Sequence, residues 1–243
     1  MNPTSEYTLT ILVPVYNEQE GLPVLEARLA AYLPKCPVKA CVLLVNDGST
    51  DLSGARILEA YTRHTDFFYL EFARNRGLSA ALKAGFDHTE SELCGYLDAD
   101  LQTAPEDFDL LLPWIGEYEL VTGIRTGRKD NFGKRLQSRI ANAWRRMFTH
   151  DGVSDTGCPL KIIRTQMARR LPLYDGMHRF LPALVQLEGG RVKQVPVRHF
   201  PRVTGESKYH LWNRLWRPFA DCFAFRWMKS RHISYLVSQT NLE

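Results

Sequence analysis

The stretch CGYLDADLQTAPEDF, from Cys94 to Phe108, ends an apolar run in Asp98-Ala99-Asp100. Two carboxylates one residue apart repel, and each raises the other's pKa unless something neutralises the pair. Water in a turn can screen them. A divalent cation can also hold them, because Mg²⁺ and Mn²⁺ favour hard oxygen ligands. Three more polar clusters follow apolar runs: NE (17–18), NDGSTD (46–51) and ARNRG (73–77). One such cluster is ordinary turn chemistry. Four in succession are more than turns require.

These clusters need elements to carry them. TLTILVPVY (8–16) reads as a strand and EQEGLPVLEARLAAYL (18–33) as an amphipathic helix. ACVLLVND (40–47) is apolar enough for a strand buried on both faces. LSGARILEAYTRH (52–64) is a helix with Asp51 or Ser49 placed to cap it. FFYLEFA (67–73) is a strand, GLSAALKAGFDHT (77–89) a helix and LCGYLDA (93–99) a fourth strand. PEDFDLLLPWI (105–115) starts a helix with Pro in its first turn, and YELVTGI (118–124) is a fifth strand. The alternation predicts an α/β fold: a Rossmann-like, mostly parallel, doubly wound sheet with helices on both faces. Ligands of such sheets bind beyond the carboxyl ends of the strands, where all four clusters fall. Further on, 131–148 reads as a basic amphipathic helix. CPLKIIR (158–164) and RVKQVPVRHF (191–200) read as strands, with a helix at 178–190 between them that ends on glycines.

At 44% hydrophobic and 24% charged, the 243 residues have an ordinary soluble composition. They suffice for one large domain or a domain with an extension. No apolar run of spanning length occurs, and the N-terminus lacks the basic and apolar regions of a secretory signal. Five cysteines, odd in number and without CxxC spacing, read as free thiols of a reducing compartment rather than a zinc site. Charge is unevenly placed. Residues 191–243 hold ten Lys/Arg against three Asp/Glu, a balance of +7, which leaves 21 against 24, or −3, for residues 1–190. A basic C-terminal part predicts an anionic partner: phosphate, nucleic acid or an acidic lipid surface. Trp212, Leu215, Trp216, Phe219, Phe223 and Trp227 fall at helical spacing. With Arg226, Lys229 and Arg231 following, the segment suits a helix lying in a membrane interface; packing on its own domain is the other reading. Pro218 is expected to kink or restart that helix.

VPVYNE (13–18), VNDGSTD (45–51), RNRG (74–77) and DADLQ (98–102) resemble the nucleotide-sugar half of family 2 glycosyltransferases of the GT-A fold. DTGCPLKIIR (155–164), GMHRF (176–180) and RVTGESKYHLW (202–212) are similar to the dolichyl- or polyprenyl-phosphate sugar synthases within that family. The resemblance spans about residues 8–230. It implies a catalytic domain over 1–210 and a basic, aromatic extension over 211–243.

The resemblance also implies roles. Asp98, Asp100 and Gln102 would hold Mg²⁺ or Mn²⁺ and the donor diphosphate, giving Lewis-acid help to the leaving group. Pro14, Tyr16, Glu18 and Asp47 would contact the nucleotide, and Arg76 its diphosphate or base. Arg125, Arg202, Ser207 and Lys208 would bind acceptor or donor phosphates, with Lys134 and Arg135 aligned less securely. Asp155 lies on the acceptor side as a catalytic candidate beside Asp100, and His178 and Arg179 would organise the site. The activity implied is an inverting, metal-dependent transfer of sugar from a nucleotide diphosphate sugar to a dolichyl or undecaprenyl phosphate. A phosphate acceptor is already anionic and needs positioning and charge compensation more than a base.

The implied location is cytoplasmic, peripheral on the inner membrane face, bound to lipid or to a membrane-protein partner. A sugar hydroxyl acceptor is the rival enzyme reading. A non-catalytic nucleotide- or RNA-binding protein is the rival of another class. No nucleic acid partner is expected, because no RNA-binding motif accompanies the basic residues and the DADLQ edge repels a phosphate backbone.

Overall fold

Strands β1 (Leu9–Val15) and β2 (Ala40–Asn46) are buried along almost their whole length, as their unbroken apolar runs require. β3 (Phe67–Glu71) starts buried at Phe67 and then alternates half-buried and exposed residues, the pattern of an edge strand. With β4 (Leu93–Tyr96), β5 (Leu120–Arg125), β6 (Lys161–Arg164) and β7 (Val192–Val197), they form one sheet ordered β3-β2-β1-β4-β6-β5-β7. This computed structural model describes residues 2–126, 143–201, 211–233 and 238–239, and the side chains of the last helix from Phe219 onward.

Helices α1 (Leu22–Tyr32), α2 (Ser53–Arg63) and α3 (Leu78–His88) cross over between parallel strands. α4 (Phe108–Leu111) is a single turn between two 3₁₀ segments. The sequence predicts one continuous helix over 105–115, but Pro113 has no N–H to donate and its ring disfavours α geometry in the turn before it. α5 covers 143–149. α6 (Thr165–Arg170) and α7 (Leu181–Leu187) follow β6, and α8 (Leu211–Arg231) runs through Pro218 without restarting.

The sheet is mostly parallel, as the alternation predicts, with one antiparallel strand. β5 does not lie beside β4. β6 inserts between them and is antiparallel to both. It begins with Lys161 opposite Tyr96, at the carboxyl end of β4, and ends with Arg164 opposite Leu93. A chain that enters at that edge can only run back. The other pairings are parallel, so the sheet remains mostly so.

Alternate residues of β1 and β2 feed two cores. Leu9, Ile11 and Val13 pack with α1, α2 and α4 through Leu25, Ile57 and Phe108. Leu12, Leu43 and Val45 pack with α3, α6 and α7 through Phe86, Met167 and Leu184, and α8 adds Cys222 and Phe225 to this second core. Each fully buried side chain of this kind contributes about 1.5–3 kcal/mol. α8 is therefore fastened to the domain, and Phe180 stacks on Phe225 at 5.6 Å.

Candidate active site

β1 and β2 end side by side, Val15 opposite Asn46, so the loops that follow them meet. Asn17 sits in the left-handed region at φ 52°. Its N–H donates to Ser49 Oγ (3.0 Å), and its Oδ1 accepts from the Thr50 N–H (2.8 Å). The Glu18 N–H donates to Ser53 Oγ (2.8 Å) and the Gln19 N–H to Asp51 Oδ2 (3.3 Å). These backbones are taken up by the loop, so α1 starts at Leu22 rather than at residue 18. The N-cap position of α2 is Leu52, not Asp51 or Ser49; Asp51 accepts from the Ser53 N–H at 2.9 Å just before it, and Ser49 ties the two loops. Pro14 and Glu18 are half-buried at this edge, and Tyr16 is 36% exposed.

Asp47 is buried and turned toward the third loop. Its carboxylate accepts from the Arg76 N–H (2.6 Å), the Gly77 N–H (2.8 Å) and Asn75 Nδ2 (2.9 Å). Burial raises its pKa against the two backbone bonds that lower it. The Arg76 side chain is exposed. Gly48 lies against the same loop at φ 65°, and a Cβ there would stand 2.3 Å from the Arg74 carbonyl carbon. Only glycine fits.

After β4 comes the acidic turn. The Tyr96 hydroxyl donates to Asp98 Oδ1 at 2.6 Å, and Asp100 Oδ1 accepts from the Gln102 N–H at 3.1 Å. Between Asp100 and Gln102, Leu101 holds φ 58° with its side chain fully buried. A left-handed leucine costs about 1–3 kcal/mol and persists only where its surroundings over-determine it. Those surroundings include the chain after β7. The Phe200 N–H donates to the Gln102 carbonyl (2.9 Å), and buried Asp107 accepts from the Arg198 N–H (2.8 Å) and Nε (2.7 Å). Burial and the Asp100 charge push the Asp98 carboxyl up to about 6, against the Tyr96 hydrogen bond and the Lys161 and Arg125 charges.

Arg125, at the end of β5, grips Asp155 in a fork. Nε donates to Oδ2 (2.9 Å), Nη2 to Oδ1 (2.8 Å), and the backbone N–H to Oδ2 (3.2 Å). Burial pushes Asp155 up, but the Arg125 bonds and charge outweigh it and hold the carboxyl below its usual range. Behind them lies Lys161, 3% exposed, its Nζ donating to the carbonyls of Thr156 (3.3 Å) and Cys158. His178 Nδ1 and Ser79 Oγ are 2.7 Å apart. Burial, with the Arg179 and Lys161 charges, lowers the His178 pKa to about 3, so its ring is neutral. Arg179 pairs with Asp221 of α8 at 3.3 Å.

The predicted residues thus fall into two groups. Asp98, Asp100, Arg125 and Asp155 share one electrostatic cluster at the ends of β4 and β5. Pro14, Tyr16, Glu18, Asp47 and Arg76 occupy the ends of β1 and β2 and the loop after β3. Lys134, Arg135, Arg202, Ser207 and Lys208 lie outside the described residues. Sequence reasoning missed Tyr96 and Lys161. Lys161 carried a signal: a cation between apolar residues in CPLKIIR.

The Glycosyl transferase family 2 model matches residues 10–175. Among solved structures, the chain is similar in fold to glucosyl-3-phosphoglycerate synthase from Mycobacterium tuberculosis. The complex with phosphoglyceric acid is 14% identical, with TM-score 0.66 over 94% of this chain and 82% of that one. The complex with Mn²⁺, UDP-glucose and phosphoglyceric acid is also 14% identical, with TM-score 0.66 over 94% and 81%. A mannosyltransferase from Pyrobaculum calidifontis, solved with GDP-mannose and Mn²⁺, is 20% identical, with TM-score 0.64 over 94% of this chain and 65% of that one.

Proposed function

The chain belongs to glycosyl transferase family 2, and from that premise we propose that it transfers a sugar from a nucleotide diphosphate sugar to a polyprenyl phosphate. An acceptor phosphate oxygen forms the bond to the anomeric carbon as the bond from that carbon to the nucleotide diphosphate breaks, with inversion. The ends of β1 and β2 supply the nucleotide contacts, from Pro14, Tyr16, Glu18 and Asp47.

Asp98, Asp100 and Gln102 fit a divalent cation. Two carboxylates and an amide are hard oxygen donors, and the half-buried acid pair is costly without a countercharge. Among the described residues no group of three or more acid, His or Cys side chains gathers. Mg²⁺ or Mn²⁺ would suit such a hard-oxygen set. The solved relatives that hold Mn²⁺ with UDP-glucose or GDP-mannose support this assignment. Such an ion supplies charge neutralisation for the departing diphosphate.

One observation carries the choice of acceptor: both Asp155 oxygens are engaged by Arg125. A carboxylate held below its usual pKa by a guanidinium is a weak base, which favours an acceptor that arrives already anionic. The Asp155 role is to orient Arg125 toward phosphate. A lipid-borne acceptor also accounts for the ridge on α5 and α8. Met147, Phe223 and Trp227 are exposed beside exposed Arg146, Arg226 and Lys229, while Phe219 stacks on Trp144 at 4.6 Å. Among the described residues no helix is long and apolar enough to cross a membrane, so this reading has the ridge rest in the cytoplasmic headgroup layer.

The test is incubation with Mn²⁺, a panel of UDP- and GDP-sugars, and three acceptors: undecaprenyl phosphate in anionic vesicles, phosphoglyceric acid, and a free glycan. Lipid-linked sugar is the expected product. Turnover on the glycan alone would replace this reading with the hydroxyl-acceptor one. Turnover on phosphoglyceric acid alone would keep the phosphate-bearing acceptor and remove the lipid.

A further inference from the structure

Tyr96 is the last residue of β4, the middle strand of the sheet, and is held by Leu12 of β1 on one side and Lys161 of β6 on the other. Its ring lies in the second core, and the residue is 6% exposed. A phenylalanine would fill the same space. The hydroxyl therefore needs a reason beyond packing, and a buried tyrosine O–H usually finds a partner. The partner is Asp98, two residues on, whose Oδ1 accepts from the hydroxyl at 2.6 Å. Such a length belongs to an O–H donating to a carboxylate.

This bond divides the Asp98 carboxylate. Oδ1 is taken by a proton donor mounted on a rigid strand. Among the described residues no hydrogen bond reaches Oδ2. A carboxylate pinned in this way offers a cation one oxygen rather than two. That number matters to the choice of ion. Ca²⁺ takes about six to eight oxygens in flexible geometry and accepts both oxygens of one carboxylate. Mg²⁺ demands a near-ideal octahedron, and Mn²⁺ also favours octahedral oxygen sites. The two oxygens of a single carboxylate stand too close together to fill adjacent corners of so small an octahedron.

We propose that Tyr96 is a positioning residue that selects the ion: by holding Oδ1 it presents Asp98 through one oxygen, which suits Mg²⁺ or Mn²⁺ and handicaps Ca²⁺. The inference rests on the glycosyl-transfer reading of the site. It goes further by assigning the choice of ion to a core residue outside the ligand set.

The experiment follows free Mn²⁺ by its paramagnetic resonance signal during titration of the full chain with UDP or GDP, then adds Ca²⁺ to displace it, after subtracting the ions held by free nucleotide. The wild type should bind Mn²⁺ at least about tenfold more tightly than Ca²⁺. Tyr96→Phe keeps the ring and frees Oδ1. Its Mn²⁺ affinity should fall on the order of tenfold, while its Ca²⁺ affinity holds or rises, so the ratio of the two falls. That ratio is diagnostic. A merely structural tyrosine, once changed, weakens both ions alike. Tyr96→Leu also lacks the hydroxyl and should move the ratio in the same direction. An unchanged or higher ratio in a variant with native near-ultraviolet dichroism overturns the inference while leaving the donor site standing. Equal wild-type affinity for the two ions overturns it with no variant needed. A wild type that binds no Mn²⁺ with either nucleotide removes the donor-site reading itself, and this inference with it.

Discussion

Replacing Arg125 by methionine tests the fork that joins β5 to the turn before β6. Methionine matches the aliphatic stem and removes the charge. Asp155 then loses the two guanidinium donors, at 2.8 and 2.9 Å, and keeps only the backbone N–H of residue 125 at 3.2 Å, while its side chain is 13% exposed in the wild type. Hydrogen bonds to a charged group contribute about 1.5–3 kcal/mol each, and removing one partner of a buried pair costs about 3–5 kcal/mol. The second figure is the better guide, because it counts the stranded charge. With a urea slope of about 3 kcal/mol/M, the unfolding midpoint should fall by roughly 1–1.7 M at pH 7.

Asp155→Asn keeps one acceptor oxygen but leaves the Arg125 guanidinium, 15% exposed, without its countercharge, so it too should cost about 3–5 kcal/mol. The pH dependence has a definite sign. The folded pKa of Asp155 is lowered, so its contribution is complete above the unfolded value of about 3.9 and is lost as pH falls through the folded one. The cost of Arg125→Met should therefore shrink below about pH 4. A loss under about 1 kcal/mol at pH 7 from Arg125→Met would refute the argument that the fork is a buried, mutually dependent pair.

Gly48→Ala places a Cβ at φ 65° and 2.3 Å from the Arg74 backbone; about 2–4 kcal/mol should be lost in thermal melts, and an unchanged melt would show that the loops need not touch. His178 is neutral in the fold, with its pKa lowered from 6.5 to about 3. The unfolded chain binds the extra proton between those values, so stability should fall as pH drops from 6.5 toward 3. His178→Asn should flatten that acid limb in pH-resolved denaturation, and an identical limb would assign it to other groups. Asp100→Ala should abolish cation-dependent turnover with native circular dichroism, and full turnover in the variant would remove Asp100 from the site. Phe223→Ser with Trp227→Ser should float severalfold less with anionic vesicles than the wild type; equal flotation would leave the ridge to another partner.

Local pattern made much of this architecture readable. ACVLLVND had to be a doubly buried strand, and LSGARILEAYTRH predicts 52–64 where α2 occupies Ser53–Arg63. The four polar clusters were legible because a parallel sheet sends every strand's carboxyl end to one edge. What stayed hidden depends on distant partners. Arg125 and Asp155 are 30 residues apart, and each alone looks like a solvated charge. The antiparallel return of β6 leaves no mark in periodicity, since a four-residue buried strand reads the same in either direction. Six-residue α6 was too short to show a helical period, so Thr165–Arg170 passed unread. Lys161 stayed unread as well, because its placement opposite Tyr96 depends on the register between β4 and β6.

The clamp on the acidic turn has a consequence for how the molecule is made. Asp107 and Arg198 are separated by 91 residues, and the Phe200 bond to Gln102 spans a similar distance. A ribosome adding about 5–20 residues per second therefore releases DADLQ several seconds before the segment that secures it. During that interval the left-handed Leu101 lacks one of its restraints, and contacts of such separation form late. The nascent chain can build the β1–β4 layer early, yet the acidic turn should reach its folded geometry only after residues 198–200 have emerged. Pulse-labelled hydrogen exchange on stalled chains should show protection of the Gln102 turn arriving with the β7 end, well after that of β1 and β2.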